Sequence, residues 1–269
     1  MPTTFLMCPP RYFDVNYVIN PWMQGHWHNI CQPLAEQQWT DFYNRLKSLA
    51  DVHCLEPAPH LPDLVFTANA GLVQGRLCVL SHFRHPERQR EEPIFKHWFT
   101  THGFDVLELP NTIYFEGAGD ALFQPGENIL WMGYGIRSDK KASDYLKTHF
   151  HTEVIPLRLI HDSFYHLDTC FCPLSSGWIM YYPEAFDALS QAAIAAHVPQ
   201  EKRLIVTRED ALQFVCNAVL VPPRYLFMTA ASPALQRSLQ EQGYEVIVQP
   251  VDEFKKAGGA NKCLTLELE

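Results

Sequence analysis

Short apolar runs separated by Gly/Pro turns recur along the chain at intervals of about fifty residues. Each of four segments begins with Asn or Asp, continues with mostly apolar residues, passes through a turn and ends in a second apolar run. This pattern is typical of a β-hairpin. The four segments are "NAGLVQGRLCVL" from Asn69, "DALFQPGENILWMG" from Asp120, "DTCFCPLSSGWIMYY" from Asp168 and "NAVLVPPRYLFMT" from Asn217. A fifth position falls near Cys263, where the sequence reads "KCLTLELE".

Segments with helical spacing of apolar residues lie between these hairpins. Several of them end in glycine and continue into a strand such as "FDVLELP" or "YEVIVQP". The predicted unit is therefore a hairpin, a helix and a further strand. The helical segments, the last of which includes its following strand, are 34–50, 91–103, 143–150 and 232–250.

About five such units fit in the chain, and each must pack on its neighbours because it cannot bury its own faces. The hairpin near Cys263 has only one complete strand, and the N-terminal segment 4–8 can complete it and close a ring. The pattern predicts an α/β fold, a five-bladed pseudosymmetric propeller closed by its N- and C-terminal strands. A doubly wound sheet with coincidental spacing is the alternative. Residues 1–269 are expected to form a single catalytic domain.

Composition restricts the class of protein. The 269 residues are 47% hydrophobic and 19% charged, an ordinary globular balance, and the formal net charge of −9 argues against non-specific binding to nucleic acid or anionic membranes. No apolar run is long enough to span a membrane, and the N-terminal segment lacks the pattern of a signal peptide. Eight dispersed cysteines fit reduced thiols in a cytoplasmic protein, and no His/Cys cluster has the spacing of a zinc site.

The stretch "VFTANAGLV" places an amide, Asn69, in an apolar run that reads as a strand containing Val65 and Phe66. A buried amide needs hydrogen-bond partners. In a closed propeller, Asn69 and the residues that open the other hairpins lie near the axis. We therefore expect a polar site within an apolar frame at that position.

Two of these positions carry reactive side chains. Cys263 follows the flexible, polar "GGAN", and its thiolate would be a strong nucleophile once its pKa is lowered. His166 and Asp168 in "YHLDTCF" are two residues apart and would share one face of a strand. Histidine can act as acid and base near neutral pH. A buried structural role is the alternative interpretation for Cys263 and for the His166–Asp168 pair.

Carboxylates and arginines complete the candidate set, without a predicted metal. Glu116 and Asp120 lie in the Gly-rich "YFEGAGDALF", and Asp63 lies in "LPDLVF". The carboxylates indicate a cationic reacting group, whereas the arginines indicate an anionic group that a guanidinium can hold with two hydrogen bonds. An amino acid such as arginine has both. The candidate arginines are Arg84, Arg88 and Arg137.

Together, "VFTANAGLV", "FEGAGDALF", "GYGIRSD", "HLDT" and "GGANKCLTLEL" resemble the guanidine-modifying superfamily, the penteins, over nearly the whole chain. The superfamily includes arginine deiminases, dimethylarginine dimethylaminohydrolases and amidinotransferases, and its fold is the five-bladed α/β propeller. The resemblance implies an enzyme that needs no cofactor and acts on a small substrate: arginine, methylated arginine or citrulline. It leaves the formation of a homo-oligomer open.

The resemblance also implies roles for individual residues. Cys263 would attack the guanidinium carbon, and His166 would protonate the departing ammonia and then activate water. Glu116 would orient His166 or hold a guanidinium nitrogen, although the spacing to Asp120 is one residue longer than in deiminases and leaves Gly117 as the alternative at the aligned position. Asp168 would bind the guanidinium.

The rest of the implied site binds the amino-acid end of the substrate. Arg88 and Arg137 would hold its carboxylate, with Arg84 as the weaker substitute for Arg88. Asn20, Asp63 and Phe66 are the other implied substrate-binding residues.

Within the superfamily, "NYVINPWM", "FTANAG" and "KCLTLEL" are most similar to the arginine dihydrolases, which convert arginine to ornithine, two ammonia and carbon dioxide. Asn69 stands where deiminases have Asp. An amide both donates and accepts hydrogen bonds, so Asn69 could hold the neutral ureido group of citrulline, which a carboxylate could not satisfy. The alternatives are a dimethylarginine dimethylaminohydrolase, a deiminase that stops at citrulline, and a propeller that binds without catalysis.

Overall fold

The computed structural model describes residues 3–268; Met1, Pro2 and Glu269, at the ends of the predicted 1–269 domain, lie outside the described residues. Within the described part, fifteen short strands form five sheets of three strands each. The strands are, in chain order, β1 (Thr4–Met7), β2 (Asp51–Cys54), β3 (Gly71–Gln74), β4 (Leu77–Leu80), β5 (Asp105–Leu107), β6 (Ala121–Phe123), β7 (Ile129–Tyr134), β8 (Glu153–Arg158), β9 (Phe171–Pro173), β10 (Ile179–Tyr181), β11 (Arg203–Ile205), β12 (Val219–Val221), β13 (Tyr225–Met228), β14 (Glu245–Val248) and β15 (Leu266–Glu267).

Each sheet is one blade and repeats one connection. An inner strand pairs antiparallel with the middle strand, and the middle strand pairs parallel with the outer strand, as in β3-β4-β5 and β6-β7-β8. A helix connects the two parallel strands because a parallel pair needs a crossover. The predicted unit of hairpin, helix and strand is confirmed.

The first blade contains both ends of the chain. β1 pairs antiparallel with β15, with Phe5 opposite Glu267, and parallel with β2, with Phe5 opposite Val52. The N-terminal strand thus completes the last hairpin and closes the ring. The five-bladed α/β propeller predicted from the repeat is confirmed, and the doubly wound sheet is wrong.

Eight α-helices lie in residues 3–268, and five of them are the crossovers within the blades. The longest begins next to Pro33 and buries one face of regularly spaced apolar residues, including Trp39 and Phe42. The helices are α1 (Gln32–Lys47), α2 (Pro86–Gln89), α3 (Glu92–Thr101), α4 (Ala142–Phe150), α5 (Ala188–His197), α6 (Arg208–Leu212), α7 (Pro233–Glu241) and α8 (Asp252–Lys255).

The hydrophobic core lies between neighbouring blades and under the crossover helices, in three clusters of buried side chains. No helix in residues 3–268 is both long enough and apolar enough to cross a membrane.

The residues that open the hairpins precede the inner strands β3, β6, β9, β12 and β15. They therefore meet at one end of the propeller axis, which we call the front. The hairpin turns at the other ends of the inner strands surround the rear.

Candidate active site

A narrow cavity at the front of the axis brings most of the predicted site residues together. Its volume is about 10 Å³, which is room for about one water molecule. Glu116 and Asp168 do not line it but contact residues that do. The predicted residues along its wall are Asn20, Asp63, Phe66, Asn69, Arg88, Arg137, His166 and Cys263.

Cys263 is held by the amide of Asn217. The side-chain oxygen of Asn217, Oδ1, accepts hydrogen bonds from the backbone N–H groups of Cys263, at 3.1 Å, and Ala260, at 3.2 Å. Its Nδ2 donates to the sulfur at 3.0 Å. One side chain therefore fixes both the loop and the thiol, and its donor favours a thiolate when that forms.

Asp168 is the second contact of the thiol: Cys263 Sγ donates to Asp168 Oδ2 at 3.4 Å. Burial, followed by the negative charge of Asp168, raises the pKa of the Cys263 thiol well above its ordinary value. Burial also raises the pKa of Asp168 to about 7. The resting site therefore holds a neutral thiol, which becomes a nucleophile only when a cation such as a guanidinium binds next to it.

His166 forms a short hydrogen bond to Glu116, with 2.6 Å between Nε2 and Oε2. The same carboxylate oxygen accepts a hydrogen bond from Arg137 Nη1 at 2.9 Å. The Glu116 backbone N–H donates to the hydroxyl of Ser138 at 3.0 Å. Gly117, the alternative at this position, has no side chain and adopts φ +64°. The structure thus places the Glu116 carboxylate, not Gly117, beside His166.

Burial alone would raise the pKa of Glu116, but the charge of Arg137 and the His166 hydrogen bond outweigh it and hold this pKa well below its ordinary value. Burial lowers the pKa of His166 to about 4, against the opposing effect of Glu116. At neutral pH the carboxylate is ionised and the imidazole is neutral. His166 can therefore accept a proton in the resting site.

Asn69 is hydrogen-bonded at both ends of its amide. Its Nδ2 donates to the Glu116 backbone oxygen at 2.9 Å, and its Oδ1 accepts from Arg88 Nη1 at 2.9 Å. Glu91 binds Arg88 through two hydrogen bonds, at 2.9 and 2.7 Å. These partners fix which way the amide faces and leave one Nδ2–H without a described acceptor.

Asp63 and Asn20 occupy the wall nearest the N-terminal segment. Asp63 Oδ2 accepts from the Tyr17 hydroxyl at 2.9 Å, whereas its Oδ1 is buried without a hydrogen-bond partner in the described chain. Asn20 Nδ2 donates to the Ala257 backbone oxygen at 3.0 Å, and Asn20 Oδ1 accepts from the backbone N–H groups of the turn Pro21–Met23. Asn20 therefore ties this turn to the front of the cavity.

The loop before Cys263 requires glycine. Gly258 has φ +90°, and a Cβ there would lie 2.7 Å from the Tyr165 hydroxyl oxygen. A Cβ on Gly259 would lie 2.5 Å from the Phe66 ring. The close approach of this loop lets Phe66 and Cys263 form one wall.

The arginines occupy different environments. Arg137 lies over the Tyr165 ring and donates to the Ile19 backbone oxygen at 2.9 Å as well as to Glu116. Arg84 does not line the cavity: it donates to the Arg137 backbone oxygen at 2.8 Å and to Asp139 at 2.6 Å. Arg84 thus supports the backbone that carries Arg137.

Two local predictions of secondary structure are wrong. Val65 ends the 3-10 turn Pro62–Val65, Phe66 follows it, and Asn69 belongs to a second 3-10 turn, Thr67–Ala70, so the strand begins only at Gly71. His166 and Asp168 likewise do not share a strand, because Asp168 lies in the 3-10 turn Leu167–Thr169. Tight turns let the chain enter each inner strand while its polar side chains face the axis.

Several residues that build the site were missed as functional candidates. Asn217 opens a hairpin at the repeat position, which is the signal that could have identified it. Tyr165 carries no such signal, because its hydroxyl donates to the backbone oxygen of the distant Gly258 at 2.8 Å. Glu91 pairs with Arg88 three residues before it, and that spacing is the signal that could have identified it. Asp120, which was among the candidate carboxylates, has a supporting role: it accepts hydrogen bonds from Ser138 Oγ and the Leu167 backbone N–H, at 2.6 and 3.0 Å, and so connects two blades.

Comparisons with known proteins agree with this geometry. The profile of the family described as N,N dimethylarginine dimethylhydrolase, eukaryotic, matches residues 9–269. The bifunctional arginine dihydrolase/ornithine cyclodeaminase ArgZ of Synechocystis sp. is 52% identical over 263 residues, which are 98% of this chain and 37% of that protein. The chain thus spans little more than a third of the length of this relative.

Two further comparisons cover most of both chains, one with a second protein and one with the N-terminal domain of ArgZ. The N(G),N(G)-dimethylarginine dimethylaminohydrolase of Mycobacterium tuberculosis is 34% identical, and the match covers 98% of this chain and 85% of that protein. The crystal structure of the substrate-bound N-terminal domain of ArgZ, an arginine dihydrolase of cyanobacteria, has a TM-score of 0.97 at 52% identity and covers 99% of this chain and 98% of that one. The chain therefore belongs to the N,N dimethylarginine dimethylhydrolase family.

Proposed function

We propose that this chain is an arginine dihydrolase, with residues 1–269 acting as one catalytic unit. The observation that carries the proposal is that a nucleophilic thiol, Cys263, an acid–base histidine, His166, and an oriented amide, Asn69, line one narrow cavity. The 52% identity to ArgZ supports the choice of arginine over other guanidines.

In the proposed complex, the guanidinium lies between Cys263 and the acidic side chains, and the amino-acid end lies towards Asn20. The Asp168 carboxylate beside Sγ would accept from the guanidinium. Asp63 Oδ1, which is buried without a described donor, would accept from the α-ammonium group. Arg137 and the remaining N–H of Arg88 would hold the carboxylate.

The first cycle would begin when the bound cation favours ionisation of Cys263. Sulfur bonds to the guanidinium carbon, and the thiol proton passes to His166 and then to the departing amino group, which leaves as ammonia. His166 then takes a proton from water, and the resulting hydroxide attacks the same carbon. The carbon–sulfur bond breaks, and citrulline and the thiol are formed.

The second cycle would act on citrulline without releasing it. Cys263 attacks the ureido carbon, a second ammonia leaves, and water cleaves the thiocarbamate that remains. The carbamate product then loses carbon dioxide to give ornithine. The free Nδ2–H of Asn69 would donate to the ureido oxygen, which an aspartate at this position could not do.

A dimethylarginine dimethylaminohydrolase is the second candidate, supported by the family profile and the 34% identical relative from Mycobacterium tuberculosis. The two functions differ in substrate and in product. Separate incubations with arginine, dimethylarginine and citrulline distinguish them. We expect the chain to form ornithine from both arginine and citrulline. The proposal would be overturned if the chain released dimethylamine from dimethylarginine and did not turn over arginine or citrulline.

The Cys263→Ser variant is the control for this experiment. Loss of all turnover is expected because a serine hydroxyl ionises far less readily than a thiol and is a much weaker nucleophile in this buried site. Turnover near the level of the unaltered chain would refute Cys263 as the nucleophile.

A further inference from the structure

A second, larger cavity opens at the rear of the propeller axis, opposite the candidate active site. Its volume is about 380 Å³. The inner strands of all five blades contribute to its wall, which is mostly apolar. One wall residue from each inner strand is Leu72, Ala121, Phe171, Val219 and Leu266.

Cys263 and Asp168 connect the walls of the two cavities, and the buried Asn217 lies against both of them. Cys263 lines the front cavity and Asp168 lines the rear cavity, with 3.4 Å between Sγ and Oδ2. Lys262, adjacent to Cys263 in the chain, also lines the rear cavity. The rear cavity therefore ends directly behind the proposed nucleophile.

The front of the site offers little room beside a substrate. The turn Pro21–Met23 covers it, and Trp22 Nε1 donates to the Ser163 backbone oxygen at 2.8 Å. An amino acid is far larger than this cavity of about 10 Å³, so the front must widen to admit it and would leave little space beside it. Ammonia formed at Cys263 would then lie behind the substrate, at the end next to Asp168.

The proposed reaction needs small molecules to move while the amino acid stays bound. Each arginine consumes two waters and yields two ammonia, one carbon dioxide and one ornithine, and citrulline must remain in place between the cycles. A single opening at the front would make ammonia wait for the amino acid to leave. A second opening removes this conflict.

We propose that the rear cavity is the passage through which water reaches Cys263 and neutral ammonia leaves while the amino acid is held at the front. This inference rests on the proposed function. Apolar walls favour ammonia over ammonium, because a dehydrated cation is costly in such a space. The charged residues of the wall are Lys262, Asp168, Glu127 and Glu267, so selection against ammonium comes from the apolar part of the wall and not from its charge. Burial raises the pKa of the Cys172 thiol in the wall to about 12, so the wall carries no thiolate there near neutral pH.

The test narrows the rear cavity at positions away from the proposed catalytic residues. Leu220 is half-buried in the wall, and Gln74 is exposed at the rim. Leu220→Trp and Gln74→Trp both place a large ring there from different blades. Leu189→Trp adds the same ring at a surface position that is 82% exposed and does not line the cavity, and serves as the matched control.

With arginine as substrate, we expect each rear-cavity variant to lower kcat for ornithine by about threefold or more and to release a larger fraction of citrulline. The KM for arginine should stay within about twofold, since arginine enters at the front. Leu189→Trp should behave as the unaltered chain. Thermal unfolding identifies a variant that is merely misfolded, and the rim variant Gln74→Trp keeps the test valid if Leu220→Trp does not fold.

Two results would contradict the inference, and they are distinguishable. If the unaltered chain makes ornithine, and a folded Gln74→Trp or Leu220→Trp variant keeps the same kcat and citrulline fraction, the passage is refuted and the proposed function stands. If the unaltered chain does not turn over arginine, the proposed function fails and the passage fails with it.

Discussion

The side-chain carbonyl of Asn69 accepts a hydrogen bond from Arg88 Nη1 at 2.9 Å, and this contact fixes the direction in which the amide faces. The opposite end of the amide donates to the Glu116 backbone oxygen. These partners leave one Nδ2–H of Asn69 without a described acceptor, and Asn69 lines the cavity. Its proposed role in holding citrulline depends on this orientation.

The Asn69→Asp variant tests that role. A carboxylate could still pair with Arg88, but it would set an acceptor against the Glu116 backbone oxygen and against a ureido oxygen. Each such buried mismatch costs about 1–3 kcal/mol. We expect the first cycle to survive and the second to slow, so that citrulline accumulates in a time course followed by chromatography. Unchanged ornithine formation without citrulline would contradict the role.

Glu116→Gln should remove the charge that pairs with Arg137 and the acceptor that orients His166. We expect kcat/KM to fall by about 100-fold or more. Because Glu116 raises the pKa of His166, its loss should move the acidic limb of the pH–rate profile to lower pH. Glu36→Gln, at an exposed position on α1, is the matched control. A Glu116→Gln profile that is lower but unshifted would indicate a merely structural carboxylate.

The Cys263 thiol should react slowly with iodoacetamide at pH 7, because burial and Asp168 raise its pKa. Its alkylation should accelerate with rising pH, and Asp168→Asn should increase the rate at pH 7 by removing the nearby negative charge. Peptide mass spectrometry separates Cys263 from the exposed Cys31, which serves as an internal reference. An Asp168→Asn rate at or below that of the unaltered chain would contradict the assignment.

Asp168 should also make the free energy of unfolding depend on pH. Its pKa rises from 3.8 to about 7 on folding, so between these values the folded chain retains a proton that the unfolded chain has released. The stabilisation of the folded state by this group is fully present below about pH 3.8 and is lost as the pH rises through about 7. The loss is on the order of a few kcal/mol.

Urea unfolding at several pH values measures this term. As the pH rises from about 4 to about 7, the free energy of unfolding of the unaltered chain should fall relative to that of Asp168→Asn. The control variant Asp41→Asn, at an exposed position on α1, should show the same pH dependence as the unaltered chain. Parallel stability curves for the unaltered chain and Asp168→Asn would show that the carboxyl group titrates normally.

The repeat made the fold predictable from the sequence. Asn69, Asp120, Asp168, Asn217 and Cys263 mark equivalent positions in five units, and a unit that cannot bury its own faces must pack against others. Helix α5, Ala188–His197, was not predicted, because its alanine-rich sequence has a weak apolar face; its N-terminus depends on Asp187, which accepts from the Ser190 backbone N–H at 2.8 Å.

The candidate site was less accessible to sequence reasoning. Residues at the repeat positions could be placed near the axis, but the burial of the Arg88–Glu91 pair beside Asn69 could not be read from the sequence. The same holds for Tyr17 and Asp63, which are 46 residues apart and joined by one hydrogen bond. The strand assigned to His166 and Asp168 was wrong because alternation cannot distinguish a short extended run from a 3-10 turn.

We propose that the chain carries arginine through citrulline to ornithine at one site. The most direct measurement is the ratio of ammonia to ornithine formed from arginine under initial-rate conditions, with citrulline measured in the same samples. Two ammonia for each ornithine and little free citrulline are expected. One ammonia for each citrulline, with no ornithine, would contradict it.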